Sequence, residues 1–217
     1  MPQGAGRTEV AWSRASDFRL IAGASLVNAS VALAVLAVFG IESPGIELAL
    51  RITARVSMLW FLLAYLAWPV SVLGPEALGR RLLAKRRAFG IIFGISMSMH
   101  VAFILRMFAL YIPERPPMVQ TADFTIGIPG LMLVAAMTLT SFDALKKAVG
   151  PQRWGQLHRV GLHFVWAVFF LCLTDSVGRK QAVSPLLEYG FFIAMLLAAA
   201  TLRFVAWRRF ARVAGRW

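Results

Sequence analysis

Cysteine, histidine and charge are all scarce in this chain, and each scarcity narrows what it can be. The single cysteine, Cys172, has no intramolecular partner, so no internal disulfide framework exists. Only 15% of the 217 residues are charged, whereas a soluble domain carries about 25%. With 59% hydrophobic residues and a mean hydropathy of +0.70, the composition is that of an all-α integral membrane protein. No Rossmann glycine loop or P-loop occurs, so any nicotinamide or flavin reductase must be a separate protein. Residues 1–17 are polar and lack the ordered regions of a cleaved signal peptide. Insertion is therefore expected to begin with the first membrane helix. A net charge of +13 and a pI near 11.5 would suggest nucleic acid in a soluble protein. Here the cations sit between apolar runs, without an aromatic platform or binding motif. Membrane topology and anionic lipid account for them, and nucleic acid is not an expected partner.

Six segments have the roughly 20 apolar residues that a membrane helix needs. They are Phe18–Ile41, Leu48–Leu73, Ala88–Ile112, Phe124–Phe142, Leu157–Leu173 and Pro185–Trp207. Glycine and proline punctuate the breaks, at Gly40, Ser43-Pro44, Gly74-Pro75, Pro113, Pro116-Pro117, Gly150-Pro151 and Ser184-Pro185. The expected architecture is a six-helix bundle over 18–207, between a cytoplasmic segment, 1–17, and a basic tail, 208–217. Loop cations fix its orientation. One side holds Arg7, Arg14, Arg80, Arg81, Lys85, Arg86, Arg87, Lys146, Lys147, Arg153, Arg208, Arg209, Arg212 and Arg216. The other holds Arg115, Arg179 and Lys180. Both termini are expected to be cytoplasmic, with no loop long enough to fold as a soluble domain.

The three histidines, His100, His158 and His163, all fall in segments that read as membrane helices. Ionisable residues in a bilayer are functional-site candidates by default. Two of them lie in the stretch Arg153 to Cys172, RWGQLHRVGLHFVWAVFFLC. His100 is 13 residues beyond Arg87, roughly 20 Å deeper along a helix. His158 begins the fifth segment near the cation-rich surface. His163 is about 7–8 Å deeper and turned by about 140° from it. On this count His100 and His163 differ in depth by roughly 10 Å. Arg51 and Arg55 share one face of the second helix, and Arg106 lies six residues outward of His100. Arg55 and Arg106 are candidate partners for heme propionates, because arginine pairs carboxylates bidentately. The plainer alternative has Arg51 and Arg106 snorkelling to the interface, or pairing with Glu47, Asp123, Asp175 or Glu188.

Three stretches together resemble the ferric-reductase-like transmembrane domain family, and within it the heme-binding membrane subunits that serve periplasmic methionine-sulfoxide reductases. They are TARVSMLWFLLAYLAWPVSVLG, RRLLAKRRAFGIIFGISMSMH and TLTSFDALKKAVGPQRWGQLHRV. They cover helices two to five in the family's order. The resemblance implies b-type heme held by histidines of helices three and five. It also implies electrons passing from a cytoplasmic flavin or membrane quinol toward the outer face, and residence in a bacterial inner membrane. Carried over, His100 looks like the helix-three ligand and His158 like the first helix-five ligand. The second helix-five histidine is replaced by Leu171, beside Cys172, and His163 falls outside the pattern. Two bis-histidine hemes need four histidines, so at most one heme is expected. Flavin or quinone is the further cofactor class implied, and a separate flavoprotein or quinol donor and a separate acceptor are the implied partners.

Each residue also has a structural reading. A membrane histidine can bond a neighbouring helix for under about 1–2 kcal/mol. Cys172 reads as a small hydrophobe, and Met97, Met99 and Met107 as gap-fillers. Gly90, Gly94, Ser96 and Ser98 permit close helix packing. Three function classes follow: a heme-binding electron-transfer subunit, a heme-free relative acting as a structural or assembly subunit, and a small transporter. The last would be marked by inverted repeats or broken helices, and no convincing repeat is present.

Overall fold

The computed structural model describes residues 5–110, 121–178 and 185–214, and of these the side chains of all but 5–14, 43, 121–124, 178, 185–188 and 213–214. Among these residues every element is α-helical. The helices are α1 (Ala5–Phe39), α2 (Ser43–Leu73), α3 (Glu76–Leu110), α4 (Thr121–Leu139), α5 (Asp143–Val149), α6 (Pro151–Gly178) and α7 (Pro185–Ala214). In lipid a helix satisfies its own backbone, which is why long apolar runs take this form. Five helices are each long and apolar enough to cross a membrane, so the chain is an integral membrane protein. A sixth span is counted only if α4 and α5 are taken together, and these two meet at 108°. Arg115, Arg179 and Lys180 lie outside the described residues, as do the side chains of Arg7, Arg14, Asp123, Glu188 and Arg216.

The helices outrun the apolar segments at their polar ends. The expected loop 75–87 is already helix, because α3 starts at Glu76, directly after Pro75. Residues 5–17 extend α1, and the expected loop 143–156 holds α5 and the first turns of α6. Arginine, lysine, glutamate and alanine are good helix formers, so a helix leaving the hydrocarbon has no reason to stop there. The stops are made by backbone chemistry instead. Gly40 and Gly150 both have φ 82°, and their N–H groups donate to Leu36 O at 2.9 Å and Lys146 O at 3.1 Å. This left-handed closure favours glycine. Pro151 then opens α6, where a missing N–H is harmless. After Gly40 the chain turns so tightly that a side chain on Gly45 would collide with the Gly40 carbonyl.

The chain forms two compact units. The first comprises residues 1–61 and 85–116, and the second 62–84 and 117–217, so α2 and α3 each contribute a part to both. In the first unit, small residues line the buried helix faces: Ala24 and Ala32 of α1, Ala49 of α2 and Ala88 of α3. Such residues let helices approach closely where lipid offers no hydrophobic driving force. Phe61 packs on Phe93 (5.5 Å between centroids) and Trp60 on Phe89 (6.3 Å). Polar groups pair across the helices. The Asn28 amide donates to Ser96 Oγ, and Lys85 donates to Asp17 Oδ1 at 2.6 Å and to Ser16 Oγ at 2.5 Å.

In the second unit α6 packs between α4 and α7. Gly130 faces Val168, and Gly161 faces Met137 so closely that a Cβ at Gly161 would lie 2.5 Å from the Met137 sulfur. The Trp166 indole N–H donates to the Leu196 carbonyl at 2.9 Å, tying α6 to α7. The end of α4 is stapled by Trp154 of α6, whose indole N–H donates to Thr140 O at 3.0 Å.

Candidate functional site

In the first unit, α2 and α3 meet at Thr53 and His100. Thr53 Oγ1 lies 3.0 Å from His100 Nδ1, and it also lies 2.7 Å from its own Ala49 carbonyl and 3.2 Å from the Leu50 carbonyl. A carbonyl accepts only, and a hydroxyl has one proton. With that proton engaged by the Ala49 carbonyl at 2.7 Å, the contact favours the tautomer in which His100 Nδ1–H donates to Thr53 and Nε2 carries the lone pair. A metal-ligating histidine has this form, with one nitrogen donating to an outer group and the other facing the metal. Thr53 is itself held by its neighbours, being buried and accepting the Ser57 hydroxyl on its backbone carbonyl at 2.7 Å.

A cavity of about 10 Å³, room for roughly one water, lies beside this pair, lined by Asn28, Val31, Ile52, Thr53, Val56, Ser96 and Met99. Pockets that enclose cofactors run from roughly 300 to 1,000 Å³. This cavity is therefore not the seat of a heme macrocycle, although an imidazole nitrogen is a chemically suitable iron ligand. Arg55 is half-buried and lies two residues past Thr53, so it leaves α2 about 200° around from the face that meets α3 at His100. Arg106 is exposed on α3 and turned by about 120° from His100. Thr53 is the side chain that meets the imidazole at Nδ1.

His158 and His163 belong to the second unit. His158 is half-buried and its Nδ1 lies 3.1 Å from Trp154 O. That carbonyl can only accept, so Nδ1 of His158 is again the donor. Its ring lies 4.3 Å from the Trp154 ring, and the Lys146 ammonium sits 4.4 Å over the same indole. His163 is exposed on α6, and its Nδ1 lies 3.4 Å from the Tyr65 hydroxyl, a loose contact. Leu171, at the position where the family resemblance would put another ligand, is 47% exposed. Cys172 is exposed as well. Among the described residues, no group of three or more His, Cys, Asp or Glu side chains is gathered to hold a metal ion directly.

No family model, curated protein or solved structure matches the chain.

A polar arrangement around Arg203 in the second unit has no counterpart among the residues singled out from the sequence. Pro69 is fully buried inside α2 and has no N–H to offer the carbonyl of Tyr65, four residues earlier. Arg203 of α7 fills the vacancy, donating from Nη1 to Tyr65 O at 2.9 Å. Its guanidinium also lies 4.6 Å from the centre of the Tyr65 ring and 5.7 Å from that of Trp68. Two signals were present: a lone arginine in the apolar run LAAATLRFVAW, and a proline inside a span. Neither says which helix the arginine meets.

Proposed function

We propose that this chain is a transmembrane electron-transfer subunit of ferric-reductase type that holds one b-type heme through Nε2 of His100. In this reading six helices span a bacterial inner membrane, α4 being the shortest, and both termini are cytoplasmic. The observation that supports it is the 3.0 Å contact of His100 Nδ1 with a Thr53 hydroxyl already engaged by the Ala49 carbonyl, which favours Nε2 as the free lone-pair nitrogen. Bound heme supplies one-electron redox chemistry, with a potential set by axial ligation, hydrogen bonding and burial. The chain's own residues do the rest. Thr53 fixes the imidazole tautomer and ring angle, and its bond to Nδ1–H raises the basicity of Nε2. His158, whose Nδ1 is also a donor, is the second candidate ligand, and His163 the third. Electrons come from a separate flavoprotein or a quinol and leave to a separate acceptor protein.

A heme-free structural subunit is the second reading. It is favoured by Leu171 at the family's ligand position, and by the likeness of the Thr53–His100 pair to the Asn28–Ser96 pair, a side-chain hydrogen bond that joins α1 to α3. Replacement of His100 separates the two. With a heme precursor supplied during expression, His100→Ala is expected to abolish or strongly shift the Soret band while the protein still inserts. A Soret band unchanged in His100→Ala removes the assignment.

A further inference from the structure

Helix α5 is amphipathic, and its apolar side faces outward. Across the break at 140–142 it meets α4 at 108°, within about 20° of perpendicular. None of its residues is buried. At 100° per residue, Leu145, Ala148 and Val149 fall in one arc of about 100°, while Lys147 points about 160° away from Leu145, and Phe142 precedes the helix at its N-cap. Phe142 is 47% exposed and Leu145 43%. Seven residues are too few for an isolated helix to persist in water. The bend is built in, because Trp154 donates to Thr140 O and the Lys146 ammonium rests over the same indole. Helix α4 alone, with 19 residues, is about 28 Å long and matches the hydrocarbon thickness. The inference rests on the proposed six-span reading, in which α4 makes the crossing and α5, turned by 108°, lies in the plane of the interface. Lys146, Lys147 and Arg153 are all exposed there.

We propose that α5 is an interfacial helix that docks on anionic phospholipid, its apolar arc set among the acyl-chain ends and Lys146, Lys147 and Arg153 taking the headgroup phosphates. Charge complementarity selects this occupant. The segment carries three cations against the single carboxylate of Asp143, and basic amphipathic helices bind anionic lipid through this pairing of apolar area and charge. The assignment is independent of heme.

The full chain in nanodiscs, carrying Cys172→Ser and a bimane label on Ala148→Cys, tests it. The label is expected to be quenched by doxyl-phospholipid and shielded from aqueous iodide. Native mass spectrometry of unlabelled protein is expected to retain phosphatidylglycerol over phosphatidylcholine. That selectivity should fall by about fivefold for each cation removed in Lys146→Gln, Lys147→Gln and Arg153→Gln. Full iodide access to the label overturns the proposal even if the charge variants misfold. Selectivity unchanged in a folded triple variant also overturns it. So does a dimer in which the label is shielded from both quenchers, since the face is then a contact between copies.

Discussion

Removing Arg203 should reveal how α2 tolerates a proline in lipid. In Arg203→Leu the Tyr65 carbonyl loses its donor, and Pro69 cannot replace it. A buried acceptor left unsatisfied costs about 1–3 kcal/mol. Lost stacking of the guanidinium on Tyr65 and Trp68 adds about 0.5–2 kcal/mol, partly offset by relief from holding a cation in the membrane. The net expectation is a destabilisation of about 2 kcal/mol. The informative quantity is the coupling. Pro69→Ala restores an N–H four residues after Tyr65, so the carbonyl gains a donor within its own helix. In that background Arg203→Leu should cost less by about 1–2 kcal/mol, the share belonging to the carbonyl. Equilibrium unfolding in mixed micelles, followed by tryptophan fluorescence, measures all four proteins of the cycle. Additive losses, with coupling below about 0.5 kcal/mol, would refute the idea that Arg203 substitutes for the missing proline N–H.

Other substitutions probe the helix contacts. Gly161→Val places methyl groups where the Met137 sulfur sits and should destabilise by about 1–3 kcal/mol in the same unfolding assay, with partial recovery in Met137→Ala. Thr53→Val keeps the shape but removes the acceptor for His100, so stability should fall by about 0.6 kcal/mol and at most about 1.7. If heme binds, the same variant should also shift its midpoint potential in a redox titration, an effect absent in Thr53→Ser. Gly40→Ala forces a Cβ into a left-handed backbone and should cost about 1–2 kcal/mol.

The membrane class, the long apolar helices and most of their breaks were legible because each is a local property. Twenty apolar residues in a row must be helix in lipid, and Gly40, Gly74-Pro75 and Gly150-Pro151 end helices wherever they occur. Helix ends were less legible. A hydropathy run marks what lies in hydrocarbon, while α3 starts at Glu76 among residues that are polar and strongly helix-forming. Helix α5 was hidden for the same reason, since seven residues make no apolar run. The partners of the candidate residues were the least legible. A membrane helix is apolar on every side, so its packed face has no periodic signature. That His100 meets Thr53, 47 residues away, depends on the depth and rotation of two helices. So does Arg203 reaching Tyr65, 138 residues away.

Bound heme is what separates an electron-transfer subunit from a heme-free bundle. Purified protein from cells supplied with a heme precursor should show a Soret band, sharp α and β bands on dithionite reduction, and about one heme per chain. A colourless protein under those conditions would contradict the electron-transfer reading and leave the three histidines as structural residues of a membrane helix bundle.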